Sequence, residues 1–212
     1  MLLKEKLQEI IEKQNHSQNA PDDVFFKLLS SHCLHKILSQ GSPYLDSDDG
    51  VSDAYVTECM DIAIDMYRRL DFGSELLIVY EDCYSENNKE EIRFVESCLK
   101  GVSNTEAYSF SWKFRPMKET YPAALANNSD VHTCTRRLYE AKGIIIQRLF
   151  LEIILSDIGG KYGLDSKIFV IDTTSGCMFH LYDDRGLWVS GPEGINFPQP
   201  GCSAYAENTD GE

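Results

Sequence analysis

The sequence predicts an α+β domain in which N-terminal helices pack on one face of a five- or six-stranded, mainly antiparallel sheet. Three observations carry that expectation. The first third of the chain places apolar residues at helical spacing. The middle alternates strand patterns with helix patterns, and the last third ends in three short apolar runs separated by tight-turn sequences. Helices first, a mixture next and closely spaced strands last is the order of a domain with a largely antiparallel sheet.

Leu3, Leu7, Ile10 and Ile11 stand at i, i+4, i+7 and i+8, one apolar stripe on a short helix. A polar run over 14–20 breaks it. Pro21 suits the first turn of a second helix over 21–38, with Asp22 and Asp23 at its positive end. Val24, Phe25, Leu28, Leu29 and Ile37 are its apolar positions. His32 and His35 share that helix, and with no carboxylate or cysteine at a helpful spacing they read as surface or packing residues. Residues 40–52 read as a loop. Its Asp46-Ser47-Asp48-Asp49-Gly50 run is not a calcium loop, because the glycine arrives one position early and Thr57 stands where a bidentate glutamate belongs.

Val56, Met60, Ala63, Tyr67 and Leu70 make the strongest helical stripe in the chain. Residues 75–80 follow as a strand whose nearly continuous apolar run predicts burial on both faces. Ile92, Val95 and Leu99 mark another helix, closed by Gly101. Tyr108, Phe110, Trp112 and Phe114 alternate with polar residues, a strand with an aromatic face that Pro116 stops. Residues 122–130 read as loop, 131–141 as an extended strand and 144–155 as a buried helix ended by Asp157-Ile158-Gly159-Gly160. Residues 1–190 are expected to form the domain and the Pro/Gly-rich 191–212 a loosely ordered tail.

Composition narrows the function. The formal net charge of −14 repels a phosphate backbone, which argues against nucleic-acid binding, and it speeds encounter with a basic partner. No apolar run is long enough to cross a bilayer, so no membrane role is expected. The first residues carry charges where a signal peptide keeps its apolar region, so a cytoplasmic location is expected. The 7 cysteines stand singly, with no Cys-x-x-Cys pair, and behave as small buried hydrophobes rather than as a zinc or redox site. No catalytic residue, metal or cofactor follows from any of these patterns.

The chain is organised around 164–189. Residues 167–172 read as a strand, Thr173-Thr174-Ser175-Gly176 as a turn, 177–182 as the returning strand and Leu187-Trp188-Val189 as a third. Gly176 and Gly186 can supply the positive φ that tight hairpins require, and Asp183 and Asp184 can hydrogen-bond their own backbone. Such a meander gathers Tyr182, Asp183, Asp184 and Arg185 at one end of the sheet.

The string Phe179-His180-Leu181-Tyr182-Asp183-Asp184-Arg185-Gly186, preceded by Ile168-Phe169-Val170-Ile171-Asp172, resembles the signature of a bacterial family. That family is domain-of-unknown-function family 3885, marked by a Tyr-Asp-Asp-Arg-Gly motif. The helix over 55–70 and the following 74–80 also resemble its middle section, so the likeness spans roughly 54–189. The family carries no assigned activity, and the resemblance implies kinship of fold without a mechanism.

Three uses of the motif compete. Asp183 or Asp184 can pair with Arg185 and pin the hairpin through a charge-assisted contact. Alternatively the loop is a binding face, with Tyr182, Asp183, Asp184, Arg185 and Trp188 as contact residues of a type that anchors interfaces. Small acidic proteins of this kind act as immunity or inhibitor proteins against a basic toxin domain, and that is the expected function and partner. The runner-up is a hydrolase or nucleotide-acting enzyme using the Asp183-Asp184-Arg185 loop, with His180 and Asp172 nearby to move protons or hold a cation.

Overall fold

In the computed structural model the described residues are 2–14, 33–45, 50–82, 88–113, 131–162, 164, 167–192 and 197. They form four helices, α1 (Leu3–Gln14), α2 (Asp53–Arg69), α3 (Lys89–Cys98) and α4 (Ile146–Ile154). The strands are β1 (Cys33–Ile37), β2 (Leu76–Asp82), β3 (Leu99–Lys100), β4 (Asn104–Lys113), β5 (Val131–Ala141), β6 (Gly143–Ile144), β7 (Lys167–Asp172), β8 (Met178–Leu181) and β9 (Gly186–Ser190). Seven of them form one sheet in the order β1-β9-β8-β7-β2-β5-β4, and every pairing in it is antiparallel. β3 and β6 form a separate two-stranded pair. The α+β class with an antiparallel sheet is therefore as the sequence predicts.

The sheet has seven strands where five or six were expected, and the extra one replaces a helix. Residues 33–37 fall within the predicted helix over 21–38 but pair with β9, from Cys33 opposite Ser190 to Ile37 opposite Gly186. Over five residues, helical spacing is weak information, and a strand that completes ladder hydrogen bonds overrides it. Residues 21–32 of that predicted helix, with His32, lie outside the described residues, as do 46–49 of the acidic loop and the predicted loop over 122–130.

Helices cover both faces of the sheet rather than one. The reason is visible in β2, whose seven residues are all buried. Its Leu76, Ile78 and Tyr80 face a core shared with α2, α3 and α4, while Leu77 and Val79 face the other way, towards Leu3, Leu7, Ile10 and Ile11 of α1. β7 divides in the same manner, with Ile168 and Val170 on one side and Phe169 and Ile171 on the other. A strand apolar on both faces needs two covers. The apolar stripe of α1 supplies the second.

Local signals set the helix ends. Ser52 caps α2 by accepting the Tyr55 amide at 3.4 Å, with Asp53 in the first turn and Arg68 and Arg69 in the last, each sign opposed to the helix dipole. Asn88 caps α3 through the amides of Glu90 and Glu91. That helix ends at Cys98, one residue before Leu99, and Gly101 takes a φ of 60° just beyond. α2 packs on the meander through Tyr67, whose ring meets Phe72, Phe150 and Phe179 edge-on at centroid distances of 5.3, 5.6 and 5.4 Å. Most of the expected tail lies outside the described residues, but Phe197 packs against the α2-side core. No helix among the described residues is long and apolar enough to cross a membrane.

Candidate functional site

The β8–β9 turn carries the Tyr182-Asp183-Asp184-Arg185-Gly186 motif, and each of its residues has a separate task. Asp183 is buried, and its Oδ1 accepts the Arg185 backbone amide at 2.7 Å. This is the local Asx geometry expected of a turn aspartate. Its Oδ2 accepts the Arg185 guanidinium, from Nε at 2.8 Å and from Nη2 as well. The Asp183 carboxylate holds Arg185 in its charged form, raising its pKa above the ordinary arginine value. The outer part of Arg185 remains open to solvent, its side chain 70% exposed, and its Nη2 stands 3.6 Å from the exposed Asp157 carboxylate. Asp157 comes from the turn that follows α4.

Asp184 does not bond its own turn. It points inward and accepts the Tyr55 hydroxyl at 2.7 Å in a buried bond across 129 residues of sequence. Burial first, and then this bond to Asp184, raise the Tyr55 pKa, so the phenol stays protonated as donor. One turn along α2, the Cys59 thiol donates to the Asp184 carbonyl at 3.4 Å, and burial pushes that thiol up to about 11. Cys59 is accordingly an inert packing thiol, as the sequence suggests for the cysteines. The hairpin tip is thereby clipped to the first turns of α2.

Gly186 is needed for room and not for a positive φ. Among the described residues, positive φ at glycine occurs at Gly101, Gly159 and Gly176. A Cβ on Gly186 would stand 2.8 Å from the Lys36 carbonyl of β1 and would overlap the Tyr182 hydroxyl. The glycine lets the Tyr182 ring lie down over β9. There the Tyr182 hydroxyl meets His35 Nε2 at 2.9 Å, and the His35 ring stacks on Trp188 at 4.2 Å. Tyr182 and Trp188 are half-buried and His35 is exposed, so the three rings make an aromatic shelf at the β1 edge. Burial, then the nearby Asp183 charge, raise the Tyr182 pKa.

His180 lies further in on the same face. It is buried, its ring stacks on Phe169 at 4.2 Å and its Nδ1 lies 2.9 Å from the Ile168 carbonyl. Burial lowers its pKa to about 4, so it is neutral at ordinary pH. Asp172, at the other end of the meander, accepts the amides of Thr174, Ser175 and Gly73 at 2.7, 2.9 and 2.7 Å. Burial alone raises its pKa, but these backbone donors outweigh it and the net shift is downward. Neither residue reaches the motif's carboxylates: His180 stacks on Phe169 and meets the Tyr182 ring at a centroid distance of 6.2 Å, and Asp172 closes the opposite turn.

Of the five contact residues drawn from the sequence, the structure leaves Arg185, Tyr182 and Trp188 reachable and turns Asp183 and Asp184 into internal anchors. Sequence reasoning took His35 as a surface or packing residue and did not bring it, Tyr55 or Asp157 to the motif. Tyr55 carried one usable signal, since a phenol on a buried helix face needs a partner for its hydroxyl. His35 and Asp157 carried none, because only pairing to β9 and the approach of α4 bring them here. One oxygen from each of Asp157, Asp183 and Asp184 lies within 4.8 Å of the others, a spacing that can hold a cation. Arg185 and Tyr55 already occupy the two buried carboxylates.

No curated protein and no solved structure matches the chain. A family model does match, over residues 5–194, which is wider than the stretch whose motifs resemble it and takes in most of α1 and all of β1. The chain belongs to the family described as Domain of unknown function (DUF3885).

Proposed function

We propose that this protein is an acidic protein-binding module that captures a basic partner, acting as an immunity or inhibitor protein against a basic toxin domain. The observation that carries the reading is the corner where Arg185 stands exposed on the internal Asp183 brace, beside the half-buried Tyr182 and Trp188. Tyr, Trp and Arg are the residue types that most often dominate binding energy, and a pre-oriented side chain loses less entropy on contact. The net charge of −14 supplies long-range attraction for a basic domain.

The test is isothermal titration, at several salt concentrations, against the basic C-terminal domain of any secreted toxin that the neighbouring genes encode. Arg185→Ala and Trp188→Ala are expected to weaken the Kd by roughly 30-fold each, the scale of an interface hot spot. Glu106→Gln, on β4 at the far edge of the sheet, serves as the control and is expected to leave it unchanged. A Kd that does not weaken as salt rises and is indifferent to both corner variants overturns the reading.

The second reading, a hydrolase or nucleotide-acting enzyme, is favoured by the Asp157, Asp183 and Asp184 cluster. A cation there has to compete with the Arg185 guanidinium for Asp183 and with the Tyr55 hydroxyl for Asp184. Saturable Mg²⁺ binding that is abolished by Asp157→Ala would put this reading first.

A further inference from the structure

We draw no further inference here: the strongest candidate, the outer edge of strand β4 with its exposed Thr105, Ala107 and Ser109, pairs with nothing among the described residues on that side, and nothing in the structure shows what covers it.

Discussion

The two turns of the C-terminal meander are built alike and used differently. Each is organised by an aspartate whose Oδ1 accepts backbone amides two or three residues on: Asp172 for Thr174 and Ser175, Asp183 for Arg185. Each turn also reaches out of the meander to α2. Asp172 Oδ2 accepts the Gly73 amide just past the C-terminal end of that helix, and Asp184 Oδ2 accepts the Tyr55 hydroxyl in its first turn. One helix is thus clipped to one meander at both of its ends. The β7–β8 turn spends its polar atoms on backbone and shows solvent only short side chains. The β8–β9 turn buries two carboxylates and uses one to present Arg185 and the other to hold Tyr55 of α2. The second arrangement holds side chains at a surface in a set pose, which is what a contact site requires.

The sharpest way to break this contrast is at the two glycines. Gly186→Ala is expected to cost about 3 kcal/mol, because the new methyl meets the Lys36 backbone, which cannot rotate away. Gly176→Ala meets nothing closer than 3.5 Å, but its φ of 72° makes it cost about 1–2 kcal/mol. Urea denaturation midpoints of the pair check both values. Equal losses would mean that Gly186 has no special role in seating Tyr182.

The clips come next. Tyr55→Phe leaves the buried Asp184 carboxylate without its side-chain donor and is expected to cost about 1.5–3 kcal/mol, whereas Asp184→Asn keeps an acceptor oxygen and costs about 1 kcal/mol. Asp172→Ala is expected to cost about 1–2 kcal/mol, since water can replace its bonds at the exposed Thr174 and Ser175. In a domain of this size each kcal/mol lowers the melting temperature by about 2–4 °C, so calorimetry can rank the three. Tyr55→Phe melting with the wild type would remove the Asp184 clip from the account.

Acid titration probes the strand between the turns. The folded pKa of His180 is about 4, below its ordinary 6.5, so the unfolded chain binds more protons anywhere between those values. The stability from a neutral, buried His180 is fully present above pH 6.5 and is lost as pH falls towards 4. Asp172 acts lower, its contribution present above the ordinary 3.8 and lost as pH drops through its depressed folded value. His180→Gln is expected to flatten the stability profile between pH 6.5 and 4 while leaving the more acidic part in place. The smallest effect is expected at the rim. Asp157→Ala removes one exposed partner of Arg185 at 3.6 Å and should change stability by at most about 0.5 kcal/mol.

What could be read from the chain follows the range of the interactions involved. The stripe Leu3, Leu7, Ile10 and Ile11 was legible because helical spacing is local. On α2 the buried face is Tyr55, Cys59, Ala63 and Met66, and the predicted Val56, Met60, Tyr67 and Leu70 lie half-buried beside it. The both-face burial of β2 was legible because a continuous apolar run has few other uses. The Asp183 turn was legible for the same reason, since its amide partner stands two residues away. β1 was not: a five-residue strand carries little periodicity, and its conformation is decided by β9, well over a hundred residues later. The role of Asp184 was not legible either. Side by side in sequence, Asp183 and Asp184 look interchangeable, and only the tertiary fold sends one to Arg185 and the other to Tyr55.

The sequence by itself determined the class of fold, the meander with its two aspartate turns, the placing of Tyr182–Arg185 at one sheet end and the acidic surface. Each of these rests on contacts a few residues apart or on composition. The tertiary structure decided that the sheet has seven strands with helices on both faces, that Asp183 and Asp184 point inward while Arg185 points out, and that His35 joins Tyr182 and Trp188. Those outcomes depend on which distant backbone fills the space beside a strand. No local propensity encodes that choice, because the competing conformations differ in energy only once the partner has arrived.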